Sequence, residues 1–512
     1  MSYSELIHRV AEINDVLNAL SVLTWDARTQ MPPAGAETRG YQLATLTDIA
    51  RRLILSRELK QALEAAEREA SGEPPDSIRA RTLQQVREAV EVLSRIPEAL
   101  MGRIAALKST AQAAWGQARA ANDFSRFRPY LEQMLELNRQ LAEAIGYAEH
   151  PYDALLLQYE PGMTARGLKA LLDELKSATL PMVQAIAEKE PPRWDFLTRD
   201  YPEDLQRGFA LGLAQQFGYD LSRGRLDTSL HPFEISFTRQ DVRITTRYRR
   251  DYLPMGLFGV LHETGHALYE QGVSPKLTRS ALSTDFLGLY AVGGASFGAH
   301  ESQSRLWENL VGRSLAFWRV QFPALRATFP TQLQDVDAEG FYRAVNRVTP
   351  SLIRVEADEL TYNFHILLRV ELELALLEGS LAVRDLPEAW NAKMRAYLGL
   401  EVPSDTLGVL QDIHWSTGYF GSFPTYTLGN LMSAQFFAAA REQVEGLEAD
   451  LAQGRYTPLL QWLQNNIYQH GRRFTPQELL VRSTGSPLTL QPYLAYLREK
   501  YGALYGLGPQ GA

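Results

Sequence analysis

The five residues His262-Glu263-Thr264-Gly265-His266 constrain this chain more than any other stretch. Histidines four apart share a face only where the backbone is an α-helix, in which one turn separates them. Two neutral imidazoles so placed can share one Zn²⁺, each at roughly 2.0–2.1 Å. Glu263 then falls on the neighbouring flank, where it can take a proton from an attacking water. The flanks agree with a helix, since Pro254 suits a first helical position and Gly272 a stop. Coincidence also produces two histidines beside a glutamate. The remainder of the chain therefore has to supply a third ligand and groups that hold a substrate.

Cysteine is absent from all 512 residues. Disulfides, iron–sulfur clusters, thiolate zinc sites and cysteine nucleophiles are excluded, and any metal must be held by histidine and carboxylate. The formal net charge of −8 argues against a nucleic-acid partner, which calls for a basic face. With 45% hydrophobic and 22% charged residues the chain can fill a core. Its most apolar window, Phe286–Ala299, is too short to span a bilayer, and Met1–His8 shows no basic stretch leading into an apolar run. The expectation is a cytoplasmic protein with no membrane partner.

Helical periodicity dominates. It runs over about 4–24, 37–56, 57–70, 77–121, 124–146, 164–188 and 202–217. After the metal motif it resumes over about 300–320, 336–347, 351–380, 386–398, 425–453, 456–470 and 489–503. Trp25–Ala36 reads as a turn built on Pro and Gly. Between Leu230 and Tyr248 the period changes to two (Phe233, Ile235, Phe237, then Val242, Ile244), which predicts a small antiparallel sheet beside the metal motif. No linker separates independent domains. The expectation is one domain over 1–512, with a helical part to about 225, a metal- and substrate-binding part over about 226–425 and C-terminal helices beyond.

A catalytic zinc keeps three protein ligands and one open position. The extended motif would require glycine at 269 and histidine at 272, but the residues are Tyr269 and Gly272, so that class is excluded. A downstream carboxylate is the remaining common choice. Glu270, Asp285, Glu301 and Glu308 are available. Glu301 is preferred because it opens a helical run, His300–Glu308, just past a Gly-rich loop. Six of the nine histidines, His231, His262, His266, His300, His365 and His414, fall between 231 and 414, which favours a functional reading for several of them.

Further motifs stand in a fixed order: His231-Pro232-Phe233, Asp241-Val242-Arg243-Ile244-Thr245, His300-Glu301-Ser302-Gln303, Ile353-Arg354-Val355-Glu356-Ala357-Asp358 and Gly408-Val409-Leu410-Gln411-Asp412-Ile413-His414-Trp415. With the Trp25–Pro32 segment and Tyr41–Leu46, they make nearly the whole chain resemble the carboxypeptidase Taq family of metallocarboxypeptidases. The long stretch Lys276–Ala299 departs from the family pattern. The resemblance implies a mainly α, two-lobed fold with a deep central groove, similar to angiotensin-converting enzyme and neurolysin. It implies His262, His266 and Glu301 as metal ligands and Glu263 as general base. It also implies a homodimer, broad specificity and poor action on C-terminal Pro. Likeness to angiotensin-converting enzyme over Tyr419–Phe423 assigns Tyr419 as the phenol that donates to the oxyanion.

The chemistry follows as an expectation. Zn²⁺ is the default for two histidines and a glutamate, and Co²⁺ would take the same ligands. Tyr419, helped by His231 or His414, stabilises the oxyanion, worth ~3 kcal/mol for one donor. A peptide with a free C-terminus needs a bidentate grip on its carboxylate, for which arginine is suited. Arg354 is the first choice and Arg243 the second, with an Arg243–Asp241 salt bridge given even weight. Gln411 and Asp412 are read with the substrate-binding residues, orienting His414 or His231. Asp358 is a candidate to orient a zinc histidine, and His365 is read as core. The alternatives are an oligopeptidase or dipeptidyl carboxypeptidase on the same fold.

Overall fold

A computed structural model describes residues 3–508. Met1, Ser2 and 509–512, on which the leader reading and the ends of the 1–512 domain reading partly rest, lie outside them. The described chain is mainly α with one small sheet. Helices α1 to α5 are Tyr3–Thr29, Ala36–Leu55, Arg57–Glu69, Ile78–Arg95 and Glu98–Ala121. Next come α6 Phe124–Ile145, α7 Pro151–Leu156, α8 Ala165–Ala187 and α9 Glu203–Phe217. The strands are β1 Gly224–Thr228, β2 Glu234–Thr238 and β3 Asp241–Thr246. Helices α10 to α15 are Leu253–Gly272, Phe297–Arg305, Leu315–Thr328, Ala338–Val345, Glu359–Glu378 and Leu386–Leu398. The last five are α16 Pro424–Gln443, α17 Leu447–Leu451, α18 Thr457–Asn466, α19 Pro476–Thr484 and α20 Gln491–Tyr505.

Several boundaries differ from the periodicity. α1 runs on through Trp25 to Thr29, because Pro33 and Gly35 act only at the short turn after it. The single helix expected over 77–121 is two, since Pro97 cannot donate to a continuing helix and instead becomes the N-cap of α5. The run expected from 300 to 320 contains a π-helical turn, Leu306–Val311, between α11 and α12. α7 and α19 are too short to show a period. Both are announced by caps: His150 and Thr475 each accept from the helix backbone, and Asp153 and Glu478 reach back.

The chain groups into two compact units. One is formed by the chain up to Ser94, Pro192–Val345 and Gly429–Thr489. The other is formed by Arg95–Pro191, Asn346–Leu428 and the chain from Leu490. In the first unit the sheet order is β1-β3-β2. β2 runs antiparallel to β3, as their two-residue turn requires, but β1 runs parallel to it, pairing Gly224 with Val242 through to Thr228 with Thr246. The sheet is therefore mixed, and the expectation of an antiparallel one is corrected. β1 carries one large apolar residue, Leu226, so it shows no period of two, and it sits on the far edge of β3 from β2. Val242 and Ile244 of β3 are fully buried, and α10 packs on this sheet and on α9 and α11. Sixteen of the twenty residues of α10 are buried, which makes it the unit's core helix rather than an amphipathic surface one.

In the second unit α14 is the corresponding buried helix, packed by α6, α7, α8 and α15. It carries ionisable groups into the interior: Arg369 and Glu373, one turn apart, are both fully buried. Its first turn binds α20 through an ion pair between Glu359 and Lys500, 2.6 Å, with Tyr496 and Tyr501 on the same carboxylate. No described helix is long and apolar enough to cross a membrane.

Candidate metal centre and substrate-binding residues

His262 and His266 project one turn apart from α10, with ring centroids 5.0 Å apart. What brings Glu301 to them is the closeness of α11. Gly265 lies between the two histidines, and a Cβ there would stand 2.3 Å from the Gln303 carbonyl oxygen and 2.6 Å from Ser304 Cα. Only glycine lets α11 run this close. A Cβ on Gly429 of α16 would stand 2.5 Å from Glu301 Cγ. Gly265 thus lets α11 approach α10, and Gly429 leaves the room that Glu301 fills. Its Oε2 lies 3.6 Å from His262 Nε2 and 3.3 Å from His266 Nε2. The donor atoms of these three residues all lie within 4.8 Å of one another, a group able to hold a metal ion.

The hydrogen-bond network assigns the tautomers. His262 Nδ1 lies 2.9 Å from Glu308 Oε2, so Nδ1–H donates to that carboxylate and the Nε2 lone pair faces Glu301. His266 Nδ1 lies 2.6 Å from His300 Nδ1, and His300 Nε2 lies 2.9 Å from Glu270 Oε1. Glu270 can only accept, so His300 Nε2–H donates to it, His300 Nδ1 accepts from His266 Nδ1–H, and His266 Nε2 is again the free lone pair. Glu270 is held by Ser236 of β2 at 3.1 Å and the Gly293 amide at 2.9 Å. Arg305 donates to Glu301 Oε1 at 2.7 Å, leaving Oε2 toward the histidines. Arg313 holds the other oxygen of Glu308 at 3.0 Å. This donor set, two Nε2 atoms and one carboxylate oxygen, each backed by a partner, fits a zinc-type ion.

Burial acts on every group here; neighbouring charge overrides it at Glu301 and Glu308, and burial prevails at His266 and Glu263. Burial opposes ionisation of Glu301, but Arg305 and the two histidines hold it well below the usual carboxylate range. Glu308 is drawn to about 2 against burial by His262 and Arg313. Burial takes His266 down to about 3, so it is neutral and a competent ligand. Burial also pushes Glu263 up, to about 7, helped by Glu301 and Glu308 and opposed by His262 and the Glu234 amide of β2. A carboxyl poised there can both take and return a proton near neutrality.

The other expected residues fall elsewhere. His231 is exposed at the turn before β2, and the described contacts do not join it to the metal group. Arg243 on β3 forms a two-point salt bridge with Asp241, 2.9 Å at both nitrogens, and lies between the rings of Trp25 and Phe237. In the second unit Arg354, Gln411, Asp412 and His414 lie together, with Tyr419 on the same turn as His414. Arg354 Nε and Nη2 donate to Asp412 Oδ1 at 3.1 and 2.9 Å, and Nη1 to the Tyr362 hydroxyl at 2.9 Å. Of its five N–H groups, one on each Nη remains. Gln411 accepts from the Arg354 amide and from Arg369, which also grips Asp412. Flanked by these two arginines, Asp412 stays ionised despite burial. His414 stacks on Phe423, 4.4 Å between centroids, and burial holds it neutral, down to about 3. Asp358 caps α14 through the Leu360 and Thr361 amides and does not touch a metal histidine.

Sequence reasoning missed one phenol. Tyr426, in the first turn of α16, has its hydroxyl 3.2 Å from His414 Nε2 and its ring under the Arg354 guanidinium, 5.0 Å to the centroid. Its signal was there: it lies twelve residues past His414, where Pro424 starts a helix. Tyr419 meets Lys108 instead, whose ammonium donates to its hydroxyl at 3.4 Å and lies 4.8 Å from its ring centroid.

A family profile described as carboxypeptidase Taq (M32) metallopeptidase matches residues 5–501. The chain is 44% identical over 516 aligned positions to thermostable carboxypeptidase 1 of Thermus thermophilus, covering 99% of each. It is 37% identical to carboxypeptidase 1 of Bacillus subtilis, covering 98% of each. Among solved structures, an M32 carboxypeptidase from Deinococcus radiodurans matches with a TM-score of 0.94 at 43% identity, covering 99% of each chain. Trypanosoma cruzi metallocarboxypeptidase 1 matches with a TM-score of 0.89 at 32% identity, covering 98% of this chain and 99% of that one.

Proposed function

The chain belongs to the carboxypeptidase Taq (M32) family of metallopeptidases, and on that premise we propose that it removes single amino acids from the free C-terminus of peptides. The observation that carries the reading is the convergence of His262 Nε2 and His266 Nε2 on one oxygen of Glu301, with Glu263 on the same helix held near neutrality. A Zn²⁺ ion bound by these three residues, or Co²⁺ in its place, supplies a Lewis acid for the scissile carbonyl and acidifies water.

The residues do the remainder. Glu263 takes a proton from the attacking water and returns it to the leaving amine. Glu308 and the His300–Glu270 pair keep both imidazoles in the ligand tautomer. Arg354 offers the two N–H groups left on Nη1 and Nη2 to the substrate carboxylate, a pairing that Asp412 orients in advance and Gln411 steadies through the Arg354 amide. Tyr419 donates to the oxyanion, with His414 as the assisting imidazole and Tyr426 as that imidazole's partner. Arg243 serves as the structural tie of β3 to α1 that its salt bridge and ring contacts describe. Broad specificity, weak action on C-terminal Pro, a homodimer and a cytoplasmic location belong to the same proposal.

Digestion of a defined peptide by the zinc-loaded protein tests it. Stepwise release of single residues from the C-terminus is expected, and internal fragments or dipeptides would overturn it in favour of an oligopeptidase or dipeptidyl carboxypeptidase. Glu263→Gln is expected to lower kcat by at least about 1,000-fold with the metal still bound, because the base is lost and the ligands are not.

A further inference from the structure

Two buried ionisable side chains on α14 have no place in the chemistry above: Arg369, and Glu373, which burial pushes up to about 7 against the pull of its hydrogen-bond donors. Arg369 and Glu373 are both fully buried, one turn apart. A buried ion can often be replaced by an apolar residue without loss of stability, so burial alone does not account for them. Their partners suggest a different purpose. Arg369 donates to Asp412 at 2.7 Å and to Gln411 at 2.8 Å. Glu373 accepts three hydrogen bonds: from Trp415 Nε1 at 2.9 Å, from the Gly421 amide at 3.1 Å, and from the Tyr152 hydroxyl of α7 at 2.6 Å. Arg369 also donates to the His365 carbonyl of its own helix at 2.7 Å; every other partner but Tyr152 lies in the stretch 411–421, and Trp415 and Gly421 bracket Tyr419.

We propose that Glu373 is a positioning residue: its carboxylate closes the turn from Trp415 to Gly421 and thereby fixes the Tyr419 phenol and the His414 imidazole beside it. The turn has internal ties, with the Tyr419 amide donating to the His414 carbonyl at 3.0 Å and the Ser422 hydroxyl to the Tyr419 carbonyl at 2.7 Å. Those bonds shape the turn but do not hold it to a helix. Glu373 does, and Trp415 is locked in place by stacking on Phe420, 6.5 Å between centroids, and by an edge contact with Trp390 at 6.1 Å. A carboxylate suits the task because it accepts from three donors at once. Glutamine would turn an NH₂ toward one of them. The inference rests on the reading of Tyr419 and His414 as groups that serve the reaction.

The test is a double-mutant cycle in the zinc-loaded protein, with kcat, KM and zinc affinity measured for Glu373→Gln, Tyr419→Phe and the pair. Glu373→Gln is expected to lower kcat about 10-fold or more, leaving KM within about 2-fold and zinc affinity unchanged. In the Tyr419→Phe background it is expected to lower kcat by clearly less than in the wild-type protein, because the phenol it positions is already gone and only the His414 share remains. A merely structural role would instead lower the melting temperature with unchanged kcat, or give effects that multiply, and either result overturns the inference while Tyr419 keeps its role. A Tyr419→Phe variant with normal kcat overturns the Tyr419 reading and the inference with it. Should Glu373→Gln fail to fold, Tyr152→Phe removes one donor of the three with little change in packing, and the same non-additivity with Tyr419→Phe is expected.

Discussion

Gly265→Ala is the substitution on which the geometry of the metal group can be judged. The added methyl would lie 2.3 Å from the Gln303 oxygen, 2.7 Å from its carbonyl carbon and 2.6 Å from Ser304 Cα, all backbone atoms that cannot rotate away. Ordinary contact begins at 3.4 Å, so α10 and α11 must part by about 1 Å. Overpacking of this kind costs about 1–3 kcal/mol. The larger effect falls on Glu301, which rides on α11 two residues before Gln303. Metal sites tolerate about 0.2 Å in ligand distance, so a 1 Å retreat removes it as a ligand to the original position. Displacing even an outer partner of a ligand costs 10–100-fold in affinity, so the expected loss of zinc affinity is about 100-fold or more. Competition with a chelator of known zinc affinity measures it, and thermal melting of the metal-free protein measures the packing cost. Wild-type zinc affinity in the variant would refute the reasoning, even with a lowered melting temperature, because the helix contact would then not be what places Glu301.

Two further outcomes follow from the same contacts. Glu308→Leu removes the acceptor that fixes the His262 tautomer and is expected to weaken zinc binding 10–100-fold, read by the same competition assay. His414 gives a pH signature: its native pKa is depressed to about 3 by burial, whereas the unfolded residue titrates near 6.5. Between those values the unfolded state binds a proton that the native state refuses, so stability is full above pH 6.5 and falls as pH drops, by on the order of 2 kcal/mol at pH 5. Urea midpoints at pH 7.5 and 5 should show this loss, and His414→Gln should make it smaller by His414's share, leaving that of His266, which burial also takes down to about 3. Equal slopes in both proteins would sink the assignment.

What the sequence revealed and what it hid divide along one physical line. His262 and His266 could be placed without a structure because a helix alone fixes residues four apart. Of the four acids weighed as a third ligand, three stand at the metal group, but in different capacities: Glu301 faces both Nε2 atoms, Glu308 braces His262, and Glu270 braces His300. Spacing could not rank them, because their distances depend on how closely helices pack, and that closeness is permitted by Gly265 and Gly429, which carry no chemistry of their own. The same limit hid β1, whose pairing with β3 involves no local pattern, and Glu373, which looks like any acid on a helix until its three donors arrive from α7 and the 415–421 turn. Arg243 was legible only as an even choice, and its contacts with Trp25, more than two hundred residues earlier, account for the structural side of it.

Arg305 has a bearing on which cation the protein would select. By occupying one oxygen of Glu301 it limits that carboxylate to a single point of attachment. Large oxygen-seeking cations such as Ca²⁺ gain their affinity from six to eight oxygens and from carboxylates that chelate with both. Two imidazoles and one lone oxygen offer them little, whereas the same donor set would suit small borderline-soft cations. Discrimination against the abundant alkaline-earth ions is thereby assigned in part to a guanidinium that no cation would ever touch.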